Sequence, residues 1–204
     1  MTDPRRLLLA TRSPHKLREL RELLALKDAE LVSLDDLGIV GEPVEDGATF
    51  ETNARLKARY YGRASGLPTL ADDSGLEVDA LGGGPGVRTR RYAGEDATDA
   101  DNNARLLSEL EGLGPDRRGA RYVCVLALAL PGQRLQVRRG TSRGRIAVSP
   151  KGTGGFGYDP IFEPASEPPG GRTLGQWSAD EKNRISHRSR AARRMAPLLR
   201  SSGF

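Results

Sequence analysis

Two aspartates stand side by side in Ala71-Asp72-Asp73-Ser74-Gly75, directly after an apolar run. Adjacent carboxylates repel, and each is better solvated alone, so their pairing makes chemical sense where a cation neutralises them. Oxygen-only ligands of this kind suit Mg²⁺, which takes one or two carboxylates, keeps several waters and bridges to phosphate oxygens. The same five residues would also serve as a plain acidic turn with Gly75 as its hinge.

Three further segments carry reactive types. Thr11-Arg12-Ser13-Pro14-His15-Lys16 lies where a strand gives way to a helix. The N–H groups and positive dipole end of such a helix favour phosphate, and Lys16 falls within its first turn. A capped helix with a surface lysine would read the same way. Gly152-Thr153-Gly154-Gly155-Phe156-Gly157-Tyr158-Asp159 has the wrong spacing for a dinucleotide fingerprint, and no helix follows it. Its glycines would let backbone approach a flat ligand, with Phe156 as a stacking face and Asp159 as an acceptor for ring N–H groups. The alternative is a tight loop whose aromatic rings pack in the core. Last, Glu181-Lys182-Asn183-Arg184-Ile185-Ser186-His187-Arg188 holds one of the two histidines of the chain beside arginine and lysine. These are donors for carbonyl oxygens and phosphates, or else a solvated basic face.

The elements that must position these groups alternate between strand and helix. Leu7 to Thr11 reads as a buried strand, and Ser13-Pro14 as an N-cap with proline at the first helical position, followed by Leu17, Leu20 and Leu24 at helical spacing. Glu30 to Leu34 is a second strand, and Gly38 to Gly47 a loop with Glu42, Glu45 and Asp46. Thr49 to Ser65 is a helix closed by Gly66. Leu67 to Ala71 reads as a short strand ending at Asp72. Gly82 to Gly86 is a loop, Asp99 to Leu113 a helix capped by Asp99, and Arg121 to Leu130 with Arg134 to Gly144 an antiparallel hairpin turned at Pro131-Gly132. A polar helix from about Ser178 and another from His187 to Leu199 close the chain. The mixture is α/β, with parallel and antiparallel strands in one sheet.

Bulk properties narrow the class. A chain of 204 residues suits one domain, residues 1–204. No apolar run approaches the roughly 20 residues of a membrane span. The apolar stretch after Met1-Thr2-Asp3-Pro4 is too short for a signal-peptide core, so a cytoplasmic protein is expected. The lone Cys124, in Tyr122-Val123-Cys124-Val125-Leu126, is expected to be a buried packing residue. The net charge of +5 suits an anionic partner, but aromatic residues at 5% are too sparse for a nucleic-acid-binding face. Only five of the 32 basic residues are lysines, namely Lys16, Lys27, Lys57, Lys151 and Lys182. In so arginine-rich a chain, a lysine within a motif marks a place for a compact ammonium rather than a planar fork.

In this order, the four segments resemble the noncanonical purine nucleoside-triphosphate pyrophosphatases, the inosine- and xanthosine-triphosphate hydrolases. The likeness runs from about Leu7 to Leu199. It is most specific at Leu70-Ala71-Asp72-Asp73-Ser74-Gly75-Leu76, at Gly154-Gly155-Phe156-Gly157-Tyr158-Asp159-Pro160, and at Glu181-Lys182 with Ile185-Ser186-His187-Arg188. The resemblance implies an elongated α/β fold, with a long mixed sheet flanked by helices and two lobes about a central active-site cleft. It also implies a homodimer that uses Mg²⁺ and splits (d)ITP and XTP into monophosphate and pyrophosphate. By position, Thr11, Arg12, Ser13 and Lys16 would hold the triphosphate. Asp73 would be metal ligand and general base, and Ser74 would contact substrate. Phe156, Gly157, Tyr158 and Asp159 would embrace base and sugar, with Lys182, His187 and Arg188 completing recognition. Arg12 and Ser13 stand where the family has a small residue and asparagine. Val44 replaces the first member of the family's acidic pair, which leaves Glu45 as the candidate second metal ligand. A pyrophosphatase for pyrimidine or modified nucleotides on the same fold is the alternative.

Overall fold

The computed structural model describes residues 5–26 and 29–204, so the start of the chain, Met1 to Pro4, and Lys27 with Asp28 lie outside the described residues. The elements are β1 (Arg5–Ala10), α1 (Pro14–Leu24), β2 (Ala29–Ser33), α2 (Phe50–Ser65), β3 (Thr69–Val78), α3 (Asp99–Glu109), β4 (Gly119–Ala129), β5 (Gln136–Ile146), β6 (Phe162–Pro164), α4 (Ala179–Ile185) and α5 (His187–Ser201). The strands form one six-stranded sheet in the order β2-β1-β3-β4-β5-β6. β1 pairs in parallel with both β2 and β3, while β5 and β6 are antiparallel. The expected mixed sheet flanked by helices is therefore the fold. Among the described residues no helix is long and apolar enough to cross a membrane.

The chain divides into two compact units. The first contains the described residues up to Asp73, Cys124–Gly140 and Arg188–Phe204. Its core joins Leu7 and Leu9 of β1, Leu20 and Leu24 of α1, Leu70, Cys124, Leu126, Leu128, and Ala192, Met195 and Leu199 of α5. Each fully buried leucine contributes about 1.5–3 kcal/mol. The second unit contains Ser74–Val123 and Thr141–His187. Its core joins Leu76, Val78, Leu106, Leu110, Tyr122, Ile146, Tyr158, Ile161 and Phe162. The buried Arg118 of this unit donates to the carbonyls of Leu110, Ile146 and Ala147, tying the start of β4 to the end of β5.

Local signals explain most helix ends. Ser13 accepts from the Lys16 amide with Pro14 opening α1, and Thr49 accepts from the Thr52 amide to open α2, which ends on left-handed Gly66. Two elements differ most from expectation, beyond shifts of one or two residues at other ends. The cap of α3 is Thr98 rather than Asp99, because Thr98 and Asp101 satisfy each other's backbone amides in a reciprocal capping box; the helix ends at Glu109. The second difference concerns the acidic segment. β3 does not stop at Ala71 but runs through Asp72-Asp73-Ser74-Gly75 to Val78. Its neighbour β1 ends opposite Ala71, whereas its other neighbour, β4, is 11 residues long and gives β3 a partner to continue against. The segment is strand, not turn, and Gly75 is no hinge.

Candidate active site

Strand geometry decides what the two aspartates do. Successive side chains on a strand point to opposite faces, so Asp72 and Asp73 diverge rather than share one cation. Asp72, 1% exposed, accepts from Lys16 Nζ at 2.7 Å, from Arg188 Nε at 2.9 Å and from Cys124 Sγ at 3.2 Å. Glu19 also pairs with Arg188. Burial alone would lower the Arg188 pKa, but Asp72 and Glu19 outweigh it and keep the guanidinium charged. Asp73, on the other face, accepts from Lys57 Nζ at 2.6 Å, and the same ammonium lies 3.0 Å from Glu45 Oε2. Lys16 is bonded to Asp72 and Lys57 to Asp73, so the two carboxylates are held by different ammonium groups.

Why Lys16 reaches Asp72 follows from the register. The last residue of β1, Ala10, pairs with Ala71, so the Thr11–Lys16 turn leaves the sheet level with Asp72. This is the carboxyl end of parallel strands, where open α/β sheets place ligands. In that turn Thr11 Oγ1 accepts from the Ser13 amide and Ser13 Oγ from the Lys16 amide. Arg12 has other partners. Its guanidinium donates to the carbonyls of Ile39 and Gly41 and pairs with Glu42 and Asp35. It fastens the loop that leads to Glu45.

Lys57 was not singled out from the sequence. It is 8% exposed on α2, and although burial lowers its pKa, Asp73 and Glu45 raise it further, so the ammonium persists. For Asp73 the balance falls the other way. Burial pushes its carboxyl up, against the pull of Lys57 and Lys16. A carboxylate made more basic by burial is better matched to accepting a proton near neutral pH. Burial also pushes the Cys124 thiol well up, beside the Asp72 charge, so Cys124 is a packing residue and not a thiolate nucleophile.

Fit to a hard divalent cation can be judged from the donors alone. Asp73 and Glu45, 28 residues apart in sequence, bring carboxylate oxygens to within 3.0 Å of one positive charge, that of Lys57. Among the described residues no group of three or more acidic, histidine or cysteine ligands gathers. A pair of carboxylate oxygens without a full protein cage is what Mg²⁺ takes when phosphate and water complete its shell.

The second unit arranges the glycine-rich loop around Asp159. This carboxylate, 2% exposed, accepts from the Phe156 amide at 3.0 Å, from Lys182 Nζ at 2.7 Å and from Tyr122 Oη at 3.3 Å. The Lys182 ammonium sits 4.6 Å from the centre of the half-buried Phe156 ring. Asp159 thus presents a cation over an aromatic face. His187 stacks on Tyr122, with centroids 4.6 Å apart and planes 8° from parallel. Tyr158 is core, 2% exposed, with its hydroxyl donating to the Thr89 carbonyl. Ser74 is half-buried on β3.

One substitution tests the loop directly. Gly155 has φ +73°, and a Cβ there would lie 2.1 Å from Asp159 Oδ2. Gly155→Ala is expected to cost about 1–3 kcal/mol in a thermal melt through left-handed strain, and to displace the carboxylate that holds Lys182. An unchanged melting temperature would show that the loop relaxes freely.

Comparison with known proteins adds a framework to this geometry. The model of the Ham1 family matches residues 7–198. A dITP/XTP pyrophosphatase of Syntrophobacter fumaroxidans is 49% identical over 185 residues, covering 91% of this chain and 78% of the relative. The solved structure of the Staphylococcus aureus Ham1 protein superposes with a TM-score of 0.86 at 34% identity, covering 97% of this chain and all of that one. A nucleoside-triphosphatase / dITP/XTP pyrophosphatase of Mycobacterium abscessus gives 0.76 at 44% identity, covering 95% and 98%.

Proposed function

The chain belongs to the Ham1 family, and from that premise we propose that it hydrolyses noncanonical purine nucleoside triphosphates, (d)ITP and XTP, to monophosphate and pyrophosphate, with Asp73 as the catalytic carboxylate. The observation that carries the mechanism is the convergence of Asp73 and Glu45 on Lys57, with Asp73 made more basic by burial. In this reading Asp73 orients a water for attack at the α-phosphorus and accepts its proton as the bond to pyrophosphate breaks. Lys16 and the first turn of α1 stabilise charge on the leaving pyrophosphate. Lys57 keeps Asp73 and Glu45 in place. Mg²⁺, held by Asp73 and Glu45, supplies neutralisation of the triphosphate charge when bound.

Recognition of the base is assigned to the glycine-rich loop and its neighbours. Phe156 offers the ring face, and Lys182 and His187 offer donors. Hypoxanthine and xanthine present a carbonyl where adenine presents an amino group, so donors aimed there leave the adenine N–H₂ without an acceptor. Two assignments from the resemblance take a changed form here. Arg188 acts through Asp72 and so holds Lys16, and Tyr158 supports the loop from the core. In the same reading the protein is a cytoplasmic homodimer acting on free nucleotides, away from membranes and nucleic acid.

Initial rates on ITP, XTP, GTP and ATP test the substrate class. ITP and XTP are expected to exceed ATP at least about a hundredfold in kcat/KM. Equal rates on all four would remove the selectivity argument, and a preference for a pyrimidine or modified triphosphate would move the substrate class while leaving the phosphate chemistry in place.

A further inference from the structure

The first two turns of α3 hold both backbone polar groups of a single residue in the glycine-rich loop, and so fix the peptide units on either side of it. Asp99 Oδ2 accepts from the Gly157 amide at 2.6 Å, and one helical turn later Asn103 Nδ2 donates to the Gly157 carbonyl at 3.1 Å. Gly157 needs this restraint, because its φ of +63° lies where glycine has little preference of its own. Between the two, Asn102 performs the same service for the neighbouring turn, donating to the Arg90 carbonyl and accepting from the Ala93 amide. That turn is in turn joined to the loop by the Tyr158 hydroxyl on the Thr89 carbonyl. Asn103 is 7% exposed, and its Oδ1 finds no hydrogen-bond partner among the described residues. Burying an amide with one end unanswered is unfavourable, so the donor end carries the reason for an asparagine at this position.

We infer that Asp99 and Asn103 are positioning residues for base recognition, presetting the Phe156–Asp159 loop before substrate arrives. This rests on the reading above that the loop meets the base. A preset loop forfeits less conformational freedom on binding, so the benefit falls on substrate affinity and not on the chemical step.

The test exploits a helix-end symmetry. Asp99→Ala and Asp99→Asn both remove a negative charge from the first turn of α3 and share that loss of helix stability. Only asparagine keeps an oxygen for the Gly157 amide. Asp99→Ala is expected to raise KM for dITP about tenfold, the scale of one lost charge-assisted hydrogen bond, with kcat unchanged, and Asp99→Asn to restore most of it. Amide hydrogen exchange at Gly157, followed by NMR without substrate, should accelerate in Asp99→Ala and not in Asp99→Asn. Equal KM values and equal exchange in the two variants would overturn the inference. Phe156→Ala separates the two readings. If it leaves KM for dITP at the wild-type value, the loop does not meet the base and the functional assignment of the loop fails. If it raises KM while the two Asp99 variants behave alike, only the positioning role fails.

Discussion

Asp73→Asn is expected to lose turnover by about 10²–10⁴ while its thermal midpoint stays within about 3 °C of the wild type. Asparagine preserves the shape of the side chain and still presents an oxygen to Lys57, which also keeps Glu45 as a partner. What disappears is the ability to take a proton. The sign of the stability effect follows from the carboxyl being raised by burial. An acid whose folded pKa exceeds its unfolded one is bound more favourably in its protonated form. Its contribution is therefore fully present at low pH and is lost as pH rises through the folded value. At neutral pH the cost of burying the ionised Asp73 is set against the support it gives the Lys57 ammonium, so the neutral asparagine changes stability little. Retention of more than about a tenth of the wild-type rate, a loss below ~1.4 kcal/mol, would show that Asp73 is not the catalytic carboxylate.

How far the sequence reaches depends on whether a signal is local. Ser13-Pro14, Thr49 and Gly66 place the ends of α1 and α2 because caps act within one turn. The continuation of β3 through Asp72 and Asp73 is not local. It depends on a partner strand about 50 residues away, and two carboxylates with Gly75 beside them have poor strand propensity. That Asp72 and Asp73 face opposite ways follows only once the strand is known, since alternation applies to strands alone. Arg12 is similar: its loop partners lie 23 to 30 residues downstream, and nothing near it in sequence points to them.

Lys57 could have been found. The scarcity of lysine was legible, and so was the reason a lysine rather than an arginine would be kept. All four lysines among the described residues meet a carboxylate: Lys16 with Asp72, Lys57 with Asp73 and Glu45, Lys151 with Glu163, and Lys182 with Asp159. Each of these aspartates and Glu163 is buried. A compact ammonium on a flexible stem fits where a planar guanidinium would need more room. Treating each lysine as a candidate, not only those inside a motif, would have directed attention to α2.

The neighbouring Asp72 is expected to behave in the opposite way to Asp73. Asp72→Ala should cost about 3–5 kcal/mol, because it removes the shared partner of two cations, one of them the buried Arg188, which then keeps only part of its compensation. At roughly 2–4 °C per kcal/mol for a chain of this size, the midpoint should fall by about 10 °C. Arg188 is the main reason. It is 1% exposed and stays ionised through Asp72 and Glu19 together, so losing Asp72 removes a large part of what compensates it. Lys16 is 19% exposed and can turn toward water, so it adds less. Turnover separates the two aspartates further. Measured well below its lowered midpoint, Asp72→Ala should still hydrolyse dITP faster than Asp73→Asn, because it loses the support of Lys16 and not the proton acceptor. A wild-type midpoint in Asp72→Ala would mean that the Lys16–Asp72–Arg188 group contributes nothing to the fold. Turnover as low as that of Asp73→Asn in a folded Asp72→Ala would place both carboxylates in the chemistry, against the divergence that strand alternation imposes on them.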